Sequence, residues 1–281
     1  MVENRPLLIV FQHALLILGA ALFVFPIYIA FVASTHTGVE VNRGMPLLPG
    51  DQFLVNYGTV LGEGIAASGA PPLSLMLFNS TVMALLIAIG KIAISLLSAF
   101  AVVYFRFPFR QLAFWTIFIT LMLPVEVRIL PTYKVVADFG MLNSYAGLTI
   151  PLIASATATF LFRHFFMTVP DELTEAARVD GAGPLKFFRD ILVPLSRTNI
   201  AALFVILFLY GWNQYLWPLL ITSEEQYYTI VMGIQRMSDV AEQTPQWHLV
   251  MATAILALLP PVVVIVTMQR LFVRGLVEVE K

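Results

Sequence analysis

The segment MTVPDELTEAARVDGAGPLKFFRDILVPLSRT (Met167–Thr198) lies between two long apolar runs, and its residue order predicts a helix, a turn and a second short helix. Thr168 is a candidate N-cap, and Pro170 suits a first helical turn. Helix-forming residues continue to Val179, and Gly181 follows where a helix end calls for a left-handed residue. The segment is therefore expected to fold back on itself between the two runs.

The second helix is predicted over Leu185–Val193, after the chain restarts at Gly183-Pro184. Apolar side chains share one of its faces at helical spacing, namely Phe187, Phe188, Ile191 and Leu192. Spacing alone also suits an amphipathic loop that rests on a membrane surface. The role of this helix–turn–helix is thus left open by its periodicity.

The composition of the whole chain indicates a membrane protein. Of the 281 residues, 59% are hydrophobic and only 12% charged, and the mean hydropathy is +0.86. A soluble domain carries about 25% charged residues, so the bilayer is the natural solvent for this chain. The net charge of −1 does not indicate a nucleic-acid partner, and none is expected. The absence of cysteine excludes disulfides and thiolate metal sites.

Six apolar runs approach or exceed the roughly 20 residues that a helix needs to cross the hydrocarbon. Because a span must satisfy its own backbone hydrogen bonds, the prediction is an all-α, polytopic protein. The third run is the shortest and is interrupted by Pro124, and the first is expected to be an uncleaved span rather than a signal peptide. The predicted spans are Leu7–Ala33, Leu73–Val103, Leu112–Val127, Tyr145–Phe166, Asn199–Ile221 and Leu249–Phe272.

The distribution of Lys and Arg predicts the orientation. With the N-terminus in the cytoplasm, eleven of the 16 basic residues fall on the inner side, four on the outer side, and Lys91 lies within a span. Both termini and Met167–Thr198 are then cytoplasmic. The segments Thr35–Pro72 and Thr222–His248 are external, and the second is acidic.

A spaced pattern in the cytoplasmic segment resembles the EAA loop of ABC importer permeases. That signature is E-A-A, three residues, G, nine residues, then I-x-L-P, and Val193 is the one departure from it. In the family this loop forms a coupling helix that docks on the ATPase subunit. The resemblance assigns coupling to Glu175, Ala176, Ala177, Asp180, Gly181, Ile191 and Pro194.

The resemblance implies a type I ABC importer permease fold, with residues 1–281 forming a single transmembrane domain. It implies a second homologous permease, two ATPase subunits, a periplasmic substrate-binding protein and the lipid bilayer as partners. The location implied is the bacterial inner membrane. ATP would be bound by the partner ATPase, so no cofactor is expected on this chain.

Several further stretches resemble the MalG-like branch, which serves carbohydrate-type importers. Leu121–Thr132, Ser144–Thr168 and Tyr210–Leu220 are similar to permeases of this branch that serve import of sn-glycerol-3-phosphate. The resemblance therefore implies that substrate, or a glycerophosphodiester, moved by alternating access. The alternative within the branch is a neutral sugar. The resemblance implies that Thr222–His248 faces the binding protein, and a passive linker is the alternative.

No motif for catalysis is visible. The chain has no G-x-x-x-x-G-K-[S/T] phosphate loop, no H-E-x-x-H and no G-x-S-x-G, and its four His residues are scattered. We therefore expect a non-enzyme with no catalytic or metal-binding residue. An ion-coupled secondary transporter is a less favoured alternative. Such proteins usually carry acidic groups in their spans, whereas the ionisable residue deep in a span of this chain is the basic Lys91.

Four polar or aromatic residues within the spans are candidates for the pathway: Lys91, Trp212, Asn213 and Gln214. A cation in mid-span suits an anionic substrate such as a phosphate, but a purely structural lysine is the competing interpretation. The amides of Asn213 and Gln214 are expected to face a cavity or the other permease, and helix packing is the alternative.

Overall fold

The computed structural model describes residues 6–65, 68–120, 123–239 and 244–278, and the regular elements within these ranges are helices. Short 3-10 turns occupy Ile150–Leu152 and Glu225–Tyr227, and an isolated bridge joins Ile65 to Ala70. The helices are α1 (Pro6–Ser34), α2 (Gly38–Arg43), α3 (Phe53–Gly62), α4 (Leu73–Tyr104), α5 (Arg110–Ile119), α6 (Val125–Asp138), α7 (Tyr145–Thr149), α8 (Ala156–Phe166), α9 (Asp171–Val179), α10 (Pro184–Phe187), α11 (Val193–Leu195), α12 (Arg197–Trp212), α13 (Leu216–Ile221), α14 (Ile230–Ser238) and α15 (Trp247–Glu278).

The all-α prediction is confirmed, and three of the described helices are long and apolar enough to cross a membrane: Val10–Ser34, Leu73–Tyr104 and Trp247–Gln269. Two bent pairs pass the same test together, Tyr145–Leu152 with Ala156–Phe166 at 47° and Pro184–Leu195 with Arg197–Trp212 at 73°. These give up to five spans by length and composition. The count of six stays a prediction.

The third predicted span, Leu112–Val127, is interrupted near Pro124, as the sequence indicates. Helix α5 ends at Ile119, and α6 begins at Val125, directly after Pro124. Proline lacks an N–H and disfavours the helical conformation of the residue before it, which explains why the helix stops here. Helix α6 continues beyond the predicted end at Val127 and carries Arg128, Lys134 and Asp138 there.

The fourth and fifth predicted spans are also interrupted. In the fourth, the 3-10 turn with Pro151 separates α7 from α8, and the side chain of Ser155 caps α8 by accepting the N–H of Ala158 at 3.2 Å. In the fifth, α12 ends at Trp212 and α13 begins at Leu216, in the turn before Pro218. Each break therefore lies close to a proline that cannot donate to the helix ladder.

The chain forms two compact units, the first made of residues 1–75 and 233–259. Within it, α1 is apolar and exposed almost all round, which requires lipid or another apolar surface to cover it. A capping box of Thr37 and Glu40 begins α2. The buried amide of Asn56 donates to the carbonyls of Ser34 and His36, which ties α3 to the end of α1.

The second unit comprises residues 76–232 and 260–281 and contains a core built on α4. Its fully buried members are Met83, Ile87, Val136, Leu148, Trp217 and Ile221. The indole N–H of Trp217 donates to the carbonyl of Gly147 at 3.1 Å, so the one polar group of this large ring has a hydrogen-bond partner in the apolar interior. A Cβ on Gly147 would come within 2.1 Å of the Met141 carbonyl oxygen, so only glycine fits there.

Helix α4 is approached closely by two neighbours in this unit. A Cβ on Gly211 of α12 would lie 2.8 Å from the Cα of Ala84, and one on Gly90 would lie 2.6 Å from Cγ2 of Ile153. Small residues thus let α12 and the break before α8 pack directly against α4, as is usual where helices meet within a membrane. Helix α4 is the element around which the site residues are arranged.

Candidate coupling segment and pathway residues

The first half of the coupling segment, Met167–Thr198, is a helix closed by a left-handed glycine. Helix α9 ends at Val179, and Gly181 has φ +72°, as the sequence predicts. The N–H of Ala182 donates to the Ala177 carbonyl at 2.8 Å, and the N–H of Gly181 donates to the Arg178 carbonyl at 3.0 Å. These two bonds are a Schellman motif, which satisfies the last carbonyls of the helix and reverses the chain.

The predicted N-cap of this helix is wrong. Thr168 donates its hydroxyl to the carbonyl of Phe165 at 2.7 Å, so it closes the end of α8 rather than the start of α9. Pro170 occupies the capping position, and no side chain caps α9. Asp171 and Glu172 stand in the first turn, where their charge complements the helix dipole.

The second half of the segment runs through α10, a π turn at Phe188–Leu192, and α11. Because Pro194 has no N–H, the Asp190 carbonyl lacks its regular helical donor, and the helix widens at this point. The predicted apolar face is confirmed. Phe187 and Leu192 are buried, and Phe188 and Ile191 are half-buried.

That apolar face packs on the C-terminal end of α4. The rings of Phe187 and Tyr104 meet with centroids 5.3 Å apart, and those of Phe188 and Phe100 with centroids 4.9 Å apart. Beside these rings lies a pocket of about 260 Å³ that Ala177 also lines. Aromatic pairs of this kind stabilise a fold by about 0.5–1.5 kcal/mol each, beyond the contribution of the buried area. These contacts therefore fix the segment to the end of α4.

The seven residues of the EAA pattern separate into two sets in the structure. Ala177 is buried, and Ile191 and Pro194 are half-buried; these face the protein. The other four are exposed: Glu175, Ala176, Asp180 and Gly181. Next to them, Val179 is 88% exposed and Leu185 is 75% exposed. The outward surface is therefore partly apolar and has no cover within the described part of the chain.

Lys91 lies near the middle of α4 and is only 7% exposed. Its Nζ sits 3.6 Å from the centre of the Tyr210 ring, which is a cation–π contact. No hydrogen bond or ion pair joins Lys91 to a side chain that the structure describes. A cation at mid-membrane costs about 2.5–3.5 kcal/mol on insertion scales, and a desolvated cation–π contact offsets about 2 kcal/mol of this. Tyr210 therefore compensates the charge only in part.

The other three pathway candidates surround the end of α12. Trp212 is buried and stacks on Phe208 with centroids 5.8 Å apart. Asn213 is exposed at the helix C-terminus, and Gln214 donates its amide to the carbonyl of Tyr210 at 3.0 Å. The structure thus links Gln214 to the residue that contacts Lys91, whereas Trp212 is enclosed by protein.

The N-terminal end of α4 holds a hydrogen-bond network that the sequence did not predict. The amide of Asn79 donates to the carbonyls of Gln226 and Tyr228, both at 2.9 Å, and its oxygen accepts the hydroxyl of Tyr145 at 2.6 Å. Ser80 accepts the N–H of Ile230 at 2.8 Å. The available signal was an asparagine inside an apolar span, since such residues commonly bond across helices.

A second asparagine fixes the segment that Asn79 contacts. Asn143, at φ +49°, accepts the N–H of Ser223 at 2.7 Å, and its own N–H donates to the carbonyl of Ile221 at 3.0 Å. The turn from Ser223 to Tyr228 is therefore anchored by two buried or half-buried asparagines rather than left as a free loop. Glu224 and Glu225 on this turn remain exposed.

Among the described residues, no group of three His, Asp or Glu side chains could hold a metal ion. The described residues offer an exposed surface at the C-terminal end of α4 and an enclosed cation near its centre.

Comparison with known proteins identifies the family. Residues 91–278 match the family described as the binding-protein-dependent transport system inner membrane component. The chain is 61% identical over 282 positions to the sn-glycerol-3-phosphate transport system permease protein UgpE of Agrobacterium fabrum, and 60% identical to the protein of that name from Salmonella typhi; each match covers 100% of both chains. These relatives are named as transport permeases and not as enzymes.

A solved structure supports the same fold. A chain of a bacterial ABC transporter involved in the import of the acidic polysaccharide alginate superposes with a TM-score of 0.81, at 19% identity, covering 96% of this chain and 98% of that one. At this identity the likeness concerns the fold alone. Together with the coupling segment and the family match, it leads to one conclusion: the chain belongs to the inner-membrane permease components of binding-protein-dependent ABC transport systems.

Proposed function

We propose that this permease translocates sn-glycerol-3-phosphate into the cell. The observation that carries the proposal is the identity of 58–61% over the full length to relatives named for transport of that compound. A glycerophosphodiester is the nearest alternative substrate because it shares the glycerol phosphate group. A neutral sugar is less well supported, since the buried Lys91 favours a substrate with negative charge.

In this proposal the exposed surface of the coupling segment docks on an ATPase subunit. Val179 and Leu185 supply the apolar contact, and Glu175 lies beside them on α9. ATP binding and hydrolysis belong to the two ATPase subunits, and this chain contributes no catalytic group and no cofactor. Movement of the docked segment reaches α4 through the aromatic contacts of Phe187 and Phe188.

Helix α4 would carry that movement across the membrane. It is continuous from Asn79, which holds the outer turn, to Tyr104, which holds the coupling segment, and this stretch is roughly 37 Å long at the rise of an α-helix. A helix with a fixed contact at each end can act as the rigid element of a two-state change. Alternating access then follows from coordinated motion of both ends.

The remaining partners follow from the family and the exposed surfaces. The substrate-binding protein would dock on the outer side and contact the segment Thr222–His248, where Glu224 and Glu225 stand on the anchored turn. A second, homologous permease would complete the pathway and, with lipid, cover the apolar surface of α1. We place both termini in the cytoplasm, as the excess of inner Lys and Arg predicts. The whole chain acts as one permease domain with six spans.

The test is uptake by the complete transporter. The chain is produced with its second permease, ATPase and binding protein in cells that lack other routes for glycerol phosphates, and accumulation of labelled sn-glycerol-3-phosphate is measured. We expect saturable uptake that an excess of unlabelled glycerol phosphate abolishes and an excess of a neutral disaccharide does not. Uptake of the disaccharide in place of glycerol phosphate would overturn the assignment.

A further inference from the structure

Lys91 is a buried cation whose charge is incompletely compensated. The face of the Tyr210 ring contacts its ammonium group, and no acidic side chain that the structure describes pairs with it. Buried lysines in proteins are ordinarily paired with an anion. The absence of such a partner in the described residues points to an anion supplied from outside the chain.

Helix α4 passes a broken helix at the level of Lys91. The preceding residue, Gly90, packs against Ile153 in the break, and one turn further on Ser95 donates its hydroxyl to the Ser155 carbonyl at 3.2 Å. Ser155 is the N-cap of α8, which extends for 11 residues. Discontinuous membrane helices commonly mark the place where a transporter binds its substrate, and the N-terminus of the second half favours anions.

We infer that Lys91, whose ammonium lies over the Tyr210 ring, binds the phosphoryl group of the substrate during its passage. This contact selects anionic over neutral compounds. The inference rests on the proposed function and adds the site at which the charge is recognised. Tyr210 keeps the ammonium in place between transport cycles, and the phosphoryl oxygens displace the ring as the stronger partner when substrate enters. The occupant is the phosphoryl group of the transported substrate, and free inorganic phosphate shares its chemistry.

The first experiment measures uptake by the complete transporter carrying Lys91→Met or Lys91→Arg. We expect Lys91→Met to lower the rate of glycerol phosphate uptake at least tenfold, while the complex still assembles and its ATPase still responds to the loaded binding protein. Lys91→Arg should retain uptake within about threefold of the unchanged protein. Ile94→Met, at a partly exposed position on the same helix, is the control for altered insertion.

The unchanged transporter separates the two claims. If it does not accumulate glycerol phosphate, the proposed function is wrong. If it does, and Lys91→Met accumulates it equally fast, the site assignment alone is wrong. An equal loss with Lys91→Met and Lys91→Arg would mean that Lys91 has a structural role, which also overturns the assignment.

A second measurement detects the contact in the unchanged protein, and Lys91→Arg serves to assign it to Lys91. This chain alone is labelled with ¹⁵N-lysine, assembled with unlabelled partners and trapped with substrate by a non-hydrolysable ATP analogue. Solid-state NMR with dipolar recoupling between lysine Nζ and phosphorus should then detect a contact that Lys91→Arg abolishes. The chemical shift of the phosphorus identifies the bound group as substrate or as inorganic phosphate. A contact to inorganic phosphate alone, or no contact, would contradict recognition of the substrate at Lys91.

Discussion

The ring of Phe187 meets the ring of Tyr104 edge-on, with centroids 5.3 Å apart and planes at 66°. This contact joins the coupling segment to the last residue of α4. The hydroxyl of Tyr104 also donates to the carbonyl of Phe166 at 3.4 Å, a long and weak bond. The aromatic rings therefore hold the segment to α4, whereas the hydroxyl contacts the end of α8.

Replacing Tyr104 by alanine should uncouple the ATPase from transport while leaving the complex assembled. We expect stimulation of the ATPase by loaded binding protein to fall at least fivefold, because the segment would no longer move α4. Tyr104→Phe keeps the ring and should behave like the unchanged protein. In a double-mutant cycle with Phe187→Ala, the two changes should couple by about 0.5–1.5 kcal/mol. Additive effects would show that the rings do not act together.

Local signals in the sequence were sufficient to predict the helix, the turn and the second short helix of Met167–Thr198, although not the N-cap. A left-handed glycine after a helix and a proline inside the next one act over a few residues, and the structure has both at Gly181 and Pro194. Hydropathy, by contrast, averages over a window as long as a span. It therefore passed over the breaks near Pro151 and Pro218, although each proline was visible.

The partner of Lys91 could not be predicted from the sequence. Tyr210 lies on another helix, far away in the chain, and its position depends on the close packing of Gly211 against Ala84. Likewise, Asn79 signalled a bond across helices but not which carbonyls it meets. Such pairings are decided by tertiary packing and have no local pattern.

Because Gly211 lies so close to α4, a single methyl group added at this position should lower the stability of the protein. In Gly211→Ala the new Cβ would stand 2.8 Å from the Cα of Ala84, and a backbone atom cannot yield as a side chain end can. Overpacking of this kind costs about 1–3 kcal/mol, so the melting temperature of the detergent-solubilised complex should fall.

The matched control is Gly58→Ala. Gly58 lies within α3 and a Cβ there meets nothing within 4 Å, so alanine should stabilise the helix by up to about 1 kcal/mol. Equal melting temperatures for Gly211→Ala and the unchanged complex would contradict the close helix crossing.

The exposed apolar side chains of the coupling segment should be needed for attachment of the ATPase. Val179→Ser and Leu185→Ser each remove apolar area that no described residue covers, and we expect less ATPase to copurify with the permease. Glu175→Lys should act in the same direction by reversing charge on that surface. Leu48→Ser, at a side chain 75% exposed on the predicted outer side, is the control. Undiminished copurification in all three variants would place the docking surface elsewhere.

Substitutions at Gly181 can distinguish the effect of backbone strain from the effect of a steric clash. Its φ is +72°, and a Cβ there would meet nothing within 4 Å, so a side chain at this position is unfavourable only through the backbone. The left-handed conformation costs roughly 1–2 kcal/mol for an ordinary residue. Gly181→Ala and Gly181→Leu should therefore impair coupling to a similar degree, because the added bulk of leucine projects into open space.

Two further variants complete the test of this turn. Gly181→Asn should be milder, since asparagine tolerates the left-handed region better than other residues. Gly183→Ala should be silent, because Gly183 has φ −71° and is equally open. The measurement is ATPase activity of the purified complex with and without loaded binding protein, together with uptake. If Gly181→Leu couples and transports like the unchanged protein, the turn does not need its left-handed geometry, and the coupling role assigned to this segment is wrong.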